Sequence, residues 1–211
     1  HDEQRLASPE FAGNAEKGKS AMVVSATSTT APTMIYFGQE VGEDGSEETG
    51  FGDPTRTSIF DYVGVPAHQR WVNNKQFDGG QLTNEEKDLR DFYKRLLNFT
   101  ISSSALVGDY QDIHLYNREH TEGYSAKVLS FVRWSDDEKL IIVSNFDNKK
   151  SYGFELKIPK HVIEPWKLAE KTYDVEDQLY NQFNTTLIVE NGIGTIKIKL
   201  DALQSFILKI K

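Results

Sequence analysis

The sequence predicts a chain in two parts, a strand-and-helix half followed by an all-β antiparallel sandwich, with the change near residue 105. Three observations predict it. A capped helix with apolar residues at helical spacing closes the first half. Apolar residues then fall at period two in Phe154-Leu156-Ile158, Ile196-Ile198-Leu200 and Phe206-Leu208-Ile210. Turn-forming clusters separate these runs, as short sandwich strands require.

Taken in order, His1 to Gly13 is polar and broken by Pro9 and Gly13. Asn14 is a candidate cap for a helix to about Ser28, with Ala15, Ala21, Met22 and Val23 as its buried positions. Thr33-Met34-Ile35-Tyr36-Phe37 is a short apolar run between Pro32 and Gly38, the pattern of a strand buried on both faces. Gly42 to Pro66 is rich in glycine and acids and reads as a long loop. Thr83-Asn84-Glu85-Glu86 is a capping box, which predicts a helix over about Asn84 to Phe99 buried through Leu89, Phe92, Tyr93, Leu96 and Leu97. Beyond it, Val128 to Trp134 and Leu140 to Phe146 are apolar and strand-like. Turns are expected at Asp136-Asp137-Glu138, Asp147-Asn148 and Glu190-Asn191-Gly192.

Composition narrows the function. The chain has 211 residues and a formal net charge of −8, which argues against the clustered Lys and Arg of a nucleic-acid site. It has no cysteine, so disulfides, zinc-thiolate sites and cysteine nucleophiles are excluded. No apolar run is long enough to span a membrane, and no signal-peptide pattern is read in these residues. The expectation is a soluble bacterial protein, exported or cytoplasmic. The start at His1 is read as that of a processed or cut chain lacking its N-terminal part.

Three stretches together resemble the α-amylase superfamily of glycoside hydrolases. His1-Asp2-Glu3-Gln4-Arg5 is similar to the motif ending in His-Asp at the end of the seventh barrel strand. Met34-Ile35-Tyr36-Phe37-Gly38-Gln39-Glu40 resembles the eighth strand, and Asp53-Pro54-Thr55-Arg56 with Thr57 to Tyr62 resembles the loop after it in some bacterial members. Thr30-Ala31-Pro32 stands where the family has a glycine, and Phe37 replaces the commoner second tyrosine, which leaves subfamily and substrate open. The resemblance implies a fold class: an α/β barrel remnant, the last strand-helix units of a TIM barrel, over 1–105, and an all-β antiparallel sandwich over 106–211.

The resemblance also implies the chemistry. A retaining glycosidase needs a nucleophilic carboxylate and a general acid about 5 Å apart, and both would lie upstream of His1. Asp2 would be the transition-state stabiliser, holding sugar hydroxyls more tightly as the ring gains positive charge. His1 would bind the same sugar through its ring nitrogens. Glu40 and Arg56 would support the site, Glu40 chiefly as a structural residue at the strand end. The parent is thus expected to act on α-glucan or maltooligosaccharide with retention, and this chain alone to be inactive. The other reading is a non-catalytic module, a β-sandwich that buttresses the barrel or binds glucan.

The remaining polar clusters point elsewhere. Glu43, Asp44, Glu47, Glu48 and Asp53 do not follow a calcium-loop pattern and read as a solvated acidic loop. No metal is expected in this segment; the resemblance implies that a calcium ion in the parent, where one is bound, is held by residues upstream. Trp71 is the surface candidate for stacking on sugar, whereas Trp134 reads as core. The strand at Thr33–Phe37 needs neighbours on both edges, so the missing barrel half or another copy of the chain is the expected partner.

Overall fold

The computed structural model describes residues 4–47, 60 and 62–211. The chain divides into two compact units, one of 1–19 and 32–95 and one of 20–31 and 96–211.

Helix α1 (Ala15–Thr27) begins where the sequence places it, with Asn14 Oδ1 accepting the Lys17 amide at 2.9 Å. A 3₁₀ turn at Gln39–Val41 is bounded by Gly38 and Gly42, at φ 79° and 84°. A side chain at Gly38 would crowd Glu43 and His68, so the left-handed turn and the close packing both require glycine. Helix α2 (Pro66–Val72) starts with proline in its first turn. Helix α3 (Asn84–Ser102) starts at the predicted capping box, where the Thr83 amide donates to Glu86 Oε2 at 2.9 Å and the Glu86 amide to Thr83 Oγ1 at 3.3 Å. Val41, Ala67 and Leu82 form a small apolar cluster with Trp71 packed against it.

The strand expected at Thr33–Phe37 is not formed among the described residues. No ladder includes it, and Met34 is 67% exposed. An apolar run becomes a central parallel strand only when neighbours satisfy both edges, and none is paired with it here.

The second unit holds all eight described strands. They are β1 (Asp109–Asp112), β2 (Val128–Trp134), β3 (Lys139–Asn145), β4 (Tyr152–Ile158), β5 (Thr172–Asp177), β6 (Asn184–Glu190), β7 (Ile193–Leu200) and β8 (Ser205–Ile210). They form one antiparallel sheet in the order β1-β2-β3-β8-β5-β6-β7-β4. Strand β8 returns beside β5, ahead of the β5-β6-β7 meander, which is a Greek key. The sheet curls so that both halves share one core, including Val132 and Ile141 from one half and Leu187 and Ile196 from the other. The sandwich is therefore continuous through the β8–β5 pairing.

The period-two pattern holds for β4 and β7, whose alternate residues are buried. In β3 and β8 it fails for a physical reason. Leu140, Ile142 and Ile207 point away from the curled core yet are fully buried, because the second face is covered as well. Arg133 on that face shows by what: it donates to the carbonyls of Thr27, Leu106, Gly108 and Asp109. The hairpin between β6 and β7 turns on Asn191-Gly192, at φ 52° and 75°, as a two-residue primed turn requires. Two short helices, α4 (His114–His120) and α5 (Lys160–Trp166), complete the unit.

Candidate functional site

Of the residues singled out in the sequence, His1, Asp2 and Arg56 lie outside the described residues, as do Glu48 and Asp53 of the acidic loop. Glu40 sits half-buried in the 3₁₀ turn, and Arg5 is close enough to feel its charge.

Arg5 is the residue here that sequence reasoning passed over. It is 5% exposed, and its Nη1 donates to the Phe37 carbonyl at 2.7 Å. The guanidinium carbon lies 5.0 Å from the Tyr36 ring centre and 4.9 Å from that of Phe37. Nε and Nη2 have no hydrogen-bond partner among the described residues. Arg5 thus ties the segment after the His-Asp pair to the eighth-strand motif. The signal in the sequence was its place three residues beyond Asp2, but no local pattern marks a buried arginine.

Glu43 leaves the acidic loop for the interior. It is 2% exposed, and its Oε2 accepts the amides of Ala67 at 2.9 Å and His68 at 3.2 Å. These belong to the first turn of α2, whose own N-cap, Val65, has no side-chain acceptor. Glu43 therefore caps α2 from a distant segment and meets the positive end of its dipole. Burial raises its pKa, outweighing the His68 amide, Arg5 and the Ala67 amide, which favour the anion. Asp44 is turned to its own loop, accepting from the amide and hydroxyl of Ser46. Among the described residues no three His, Asp or Glu side chains gather as a metal would need.

Helix α2 is fixed at its other side by Arg70. Its Nε and Nη2 hold Glu86, the carboxylate that also closes the α3 capping box. From this anchored helix opens a groove of about 780 Å³, lined by Tyr62, Gln69, Arg70, Asn74, Phe77 and Gln81 among others. Tyr62 is 68% and Phe77 59% exposed. Trp71, the expected stacking residue, is instead half-buried against the small cluster, with Arg90 over its ring at 5.6 Å. Trp134 is partly buried against the large core, edge-on to Trp166.

The backbone that presents Phe77 is strained. Asn73, Asn74, Lys75 and Phe77 have φ of 45°, 55°, 71° and 57°. The left-handed region costs a residue with a side chain about 1–2 kcal/mol, and a bulky aromatic there is an outlier. The surroundings enforce it. The Phe77 amide donates to the Val72 carbonyl at 3.0 Å, the Gly79 amide to Trp71 at 3.0 Å, and Asn73 Nδ2 to Asp78 Oδ1 at 2.7 Å.

A second groove, in the β unit, is lined by His120, Glu122, Phe154, Glu155, Lys157 and Lys197 among others. Three of its charged groups are engaged: Lys197 faces Glu155 at 3.8 Å, and Lys157 Nζ donates to the His120 carbonyl.

Residues 119–211 match the family described as the alpha amylase C-terminal all-beta domain. The whole chain is similar in fold to an AmyP variant solved with maltotriose, at 19% identity and a TM-score of 0.62, over 100% of this chain and 40% of that one. It is similar to the noncanonic maltogenic alpha-amylase AmyB of Thermotoga neapolitana, at 14% identity and 0.61, over 100% and 39%. It is also similar to the alpha-amylase of Geobacillus thermoleovorans solved with acarbose, at 16% identity and 0.59, over 100% and 37%. The chain thus spans about two-fifths of the length of these proteins. At such identities the likeness is one of fold. No curated protein matches the sequence.

Proposed function

We propose that this chain, whose residues 119–211 match the α-amylase C-terminal all-β domain, is the C-terminal portion of a retaining glycosidase acting on α-glucan or maltooligosaccharide. The observation that carries this reading is the match of 119–211 to that domain, downstream of the motif Ile35-Tyr36-Phe37-Gly38-Gln39-Glu40. The maltotriose and acarbose bound by the similar proteins support the substrate class.

On this reading 1–105 is the end of the catalytic barrel, whose chemistry sits at the C-terminal ends of its strands. Asp2 follows the seventh strand and Glu40 the eighth. Asp2 holds sugar hydroxyls at the cleavage point, with bonds that strengthen as the ring flattens toward the oxocarbenium ion. A neutral His1 offers one donor and one acceptor to a vicinal diol of the same sugar. Arg56 supports the barrel mouth. The nucleophile and general acid belong to the upstream part, so this chain alone does not turn over substrate. The apolar run at Thr33–Phe37, with Met34 67% exposed, is completed by that upstream part or by another copy.

The test is Asp2→Asn in the full-length protein, which keeps the shape and removes the charge. Turnover of maltoheptaose is expected to fall by about 10²–10³, the scale of losing one transition-state contact. Unchanged turnover, or measurable cleavage by the 211-residue chain alone, would overturn the reading.

A further inference from the structure

We propose that the groove between Tyr62 and Phe77 is a carbohydrate-binding subsite that takes an α-linked glucose chain. The choice of sugar rests on the function proposed above; the existence of a site rests on the groove itself.

Two large aromatic side chains are held in solvent on one concave surface, Tyr62 at 68% and Phe77 at 59% exposure. The apolar face of a pyranose stacks on such rings, and its hydroxyls take hydrogen bonds from planar polar groups around them. The groove supplies those groups in the amides of Gln69, Asn74 and Gln81. It also supplies Arg70, which spends Nε and Nη2 on Glu86 and keeps Nη1 without a partner among the described residues.

The position is also built rather than incidental. Gln69 Nε2 donates to the Tyr62 carbonyl and so fixes the approach of that residue to α2. Phe77 is held at φ 57°, where asparagine or glycine would be at ease, and its ring is exposed. Both features work against stability, and an aromatic there contributes little to the fold beyond an edge contact with Trp71 at 6.0 Å. Strain held in place by surrounding bonds points to a task for the side chain it presents.

Phe77→Asn separates the two roles, since asparagine tolerates the left-handed backbone but gives no stacking face. Binding of maltoheptaose to the 211-residue chain is read by calorimetry, with cellohexaose as the β-linked control. The expected result is saturable binding of maltoheptaose, weaker binding of cellohexaose, and at least fivefold loss of maltoheptaose affinity in both Phe77→Asn and Tyr62→Ala. The Phe77→Asn chain is expected to melt about 2–4 °C higher, as relief of strain of this size predicts. No binding by the parent chain, unchanged affinity in Phe77→Asn, or equal binding of cellohexaose would each overturn the proposal. None of these touches the catalytic reading, which is decided by turnover in the full-length protein.

Discussion

Replacing Glu43 with alanine should loosen α2 and the groove it carries. The side chain is 2% exposed and accepts two amides of the first turn of α2, at 2.9 and 3.2 Å. Loss of an N-capping acceptor alone costs about 1 kcal/mol. Where the amide is also buried, leaving it without an acceptor raises the cost to about 1–3 kcal/mol. Removing the acid also leaves the buried Arg5 without the charge that most favours its cationic form. Together these predict a loss of about 3 kcal/mol. Glu43→Gln keeps an acceptor oxygen and should stay within about 1 kcal/mol of the parent, since one such bond is worth about that much. Burial raises the Glu43 pKa, so the folded state favours its protonated form. That contribution is present below the ordinary carboxylate range and fades as pH rises through the raised folded value; Glu43→Gln should abolish it. The assay is urea unfolding of the chain, with amide hydrogen exchange at Ala67 and His68. An alanine variant within about 0.5 kcal/mol of the parent, the range of an ordinary surface change, with both amides still protected, would refute the reasoning.

Three further outcomes follow from the β unit. Arg133 is 1% exposed and bonds four carbonyls from Thr27 to Asp109, so Arg133→Met should cost about 3 kcal/mol or more in urea unfolding, the scale of a broken buried network. Asp147 is held at a pKa of about 2 by the Lys149 amide first, then Lys127, Tyr152 and the Lys150 amide. Its stabilisation is present above the unfolded value of about 3.9 and is lost as pH falls toward 2, so Asp147→Asn should flatten that arm of a melting-temperature profile. Gly192→Ala places a side chain at φ 75° in the β6–β7 turn and should cost about 1–2 kcal/mol in the same unfolding assay.

Much of the fold was legible because it is written locally. The Thr83–Glu86 capping box, the Asn14 cap and the Asn191-Gly192 hairpin are each set by neighbouring residues, and all three form as expected. The burial of Leu140, Ile142 and Ile207 was not legible, because it depends on what covers the second face of the sheet. The run at Thr33–Phe37 shows the reverse: its composition suits a buried strand, but pairing is a property of neighbours. The short helices α2 and α5 were missed for the same reason. The cap of α2 comes from Glu43, more than twenty residues away in sequence, as the 24-residue separation to Ala67 shows. Trp71 is the surface stacking candidate by residue type yet lies half-buried against the small cluster, because residue type predicts stacking but not exposure.

The proposed function has this chain complete an enzyme that cleaves α-glucan with retention. The most direct measurement is proton NMR of the full-length protein acting on maltoheptaose, recorded before mutarotation scrambles the products. Turnover with the α-anomer as the first product is expected. A β-anomer as first product, or no turnover of α-glucan, would contradict it.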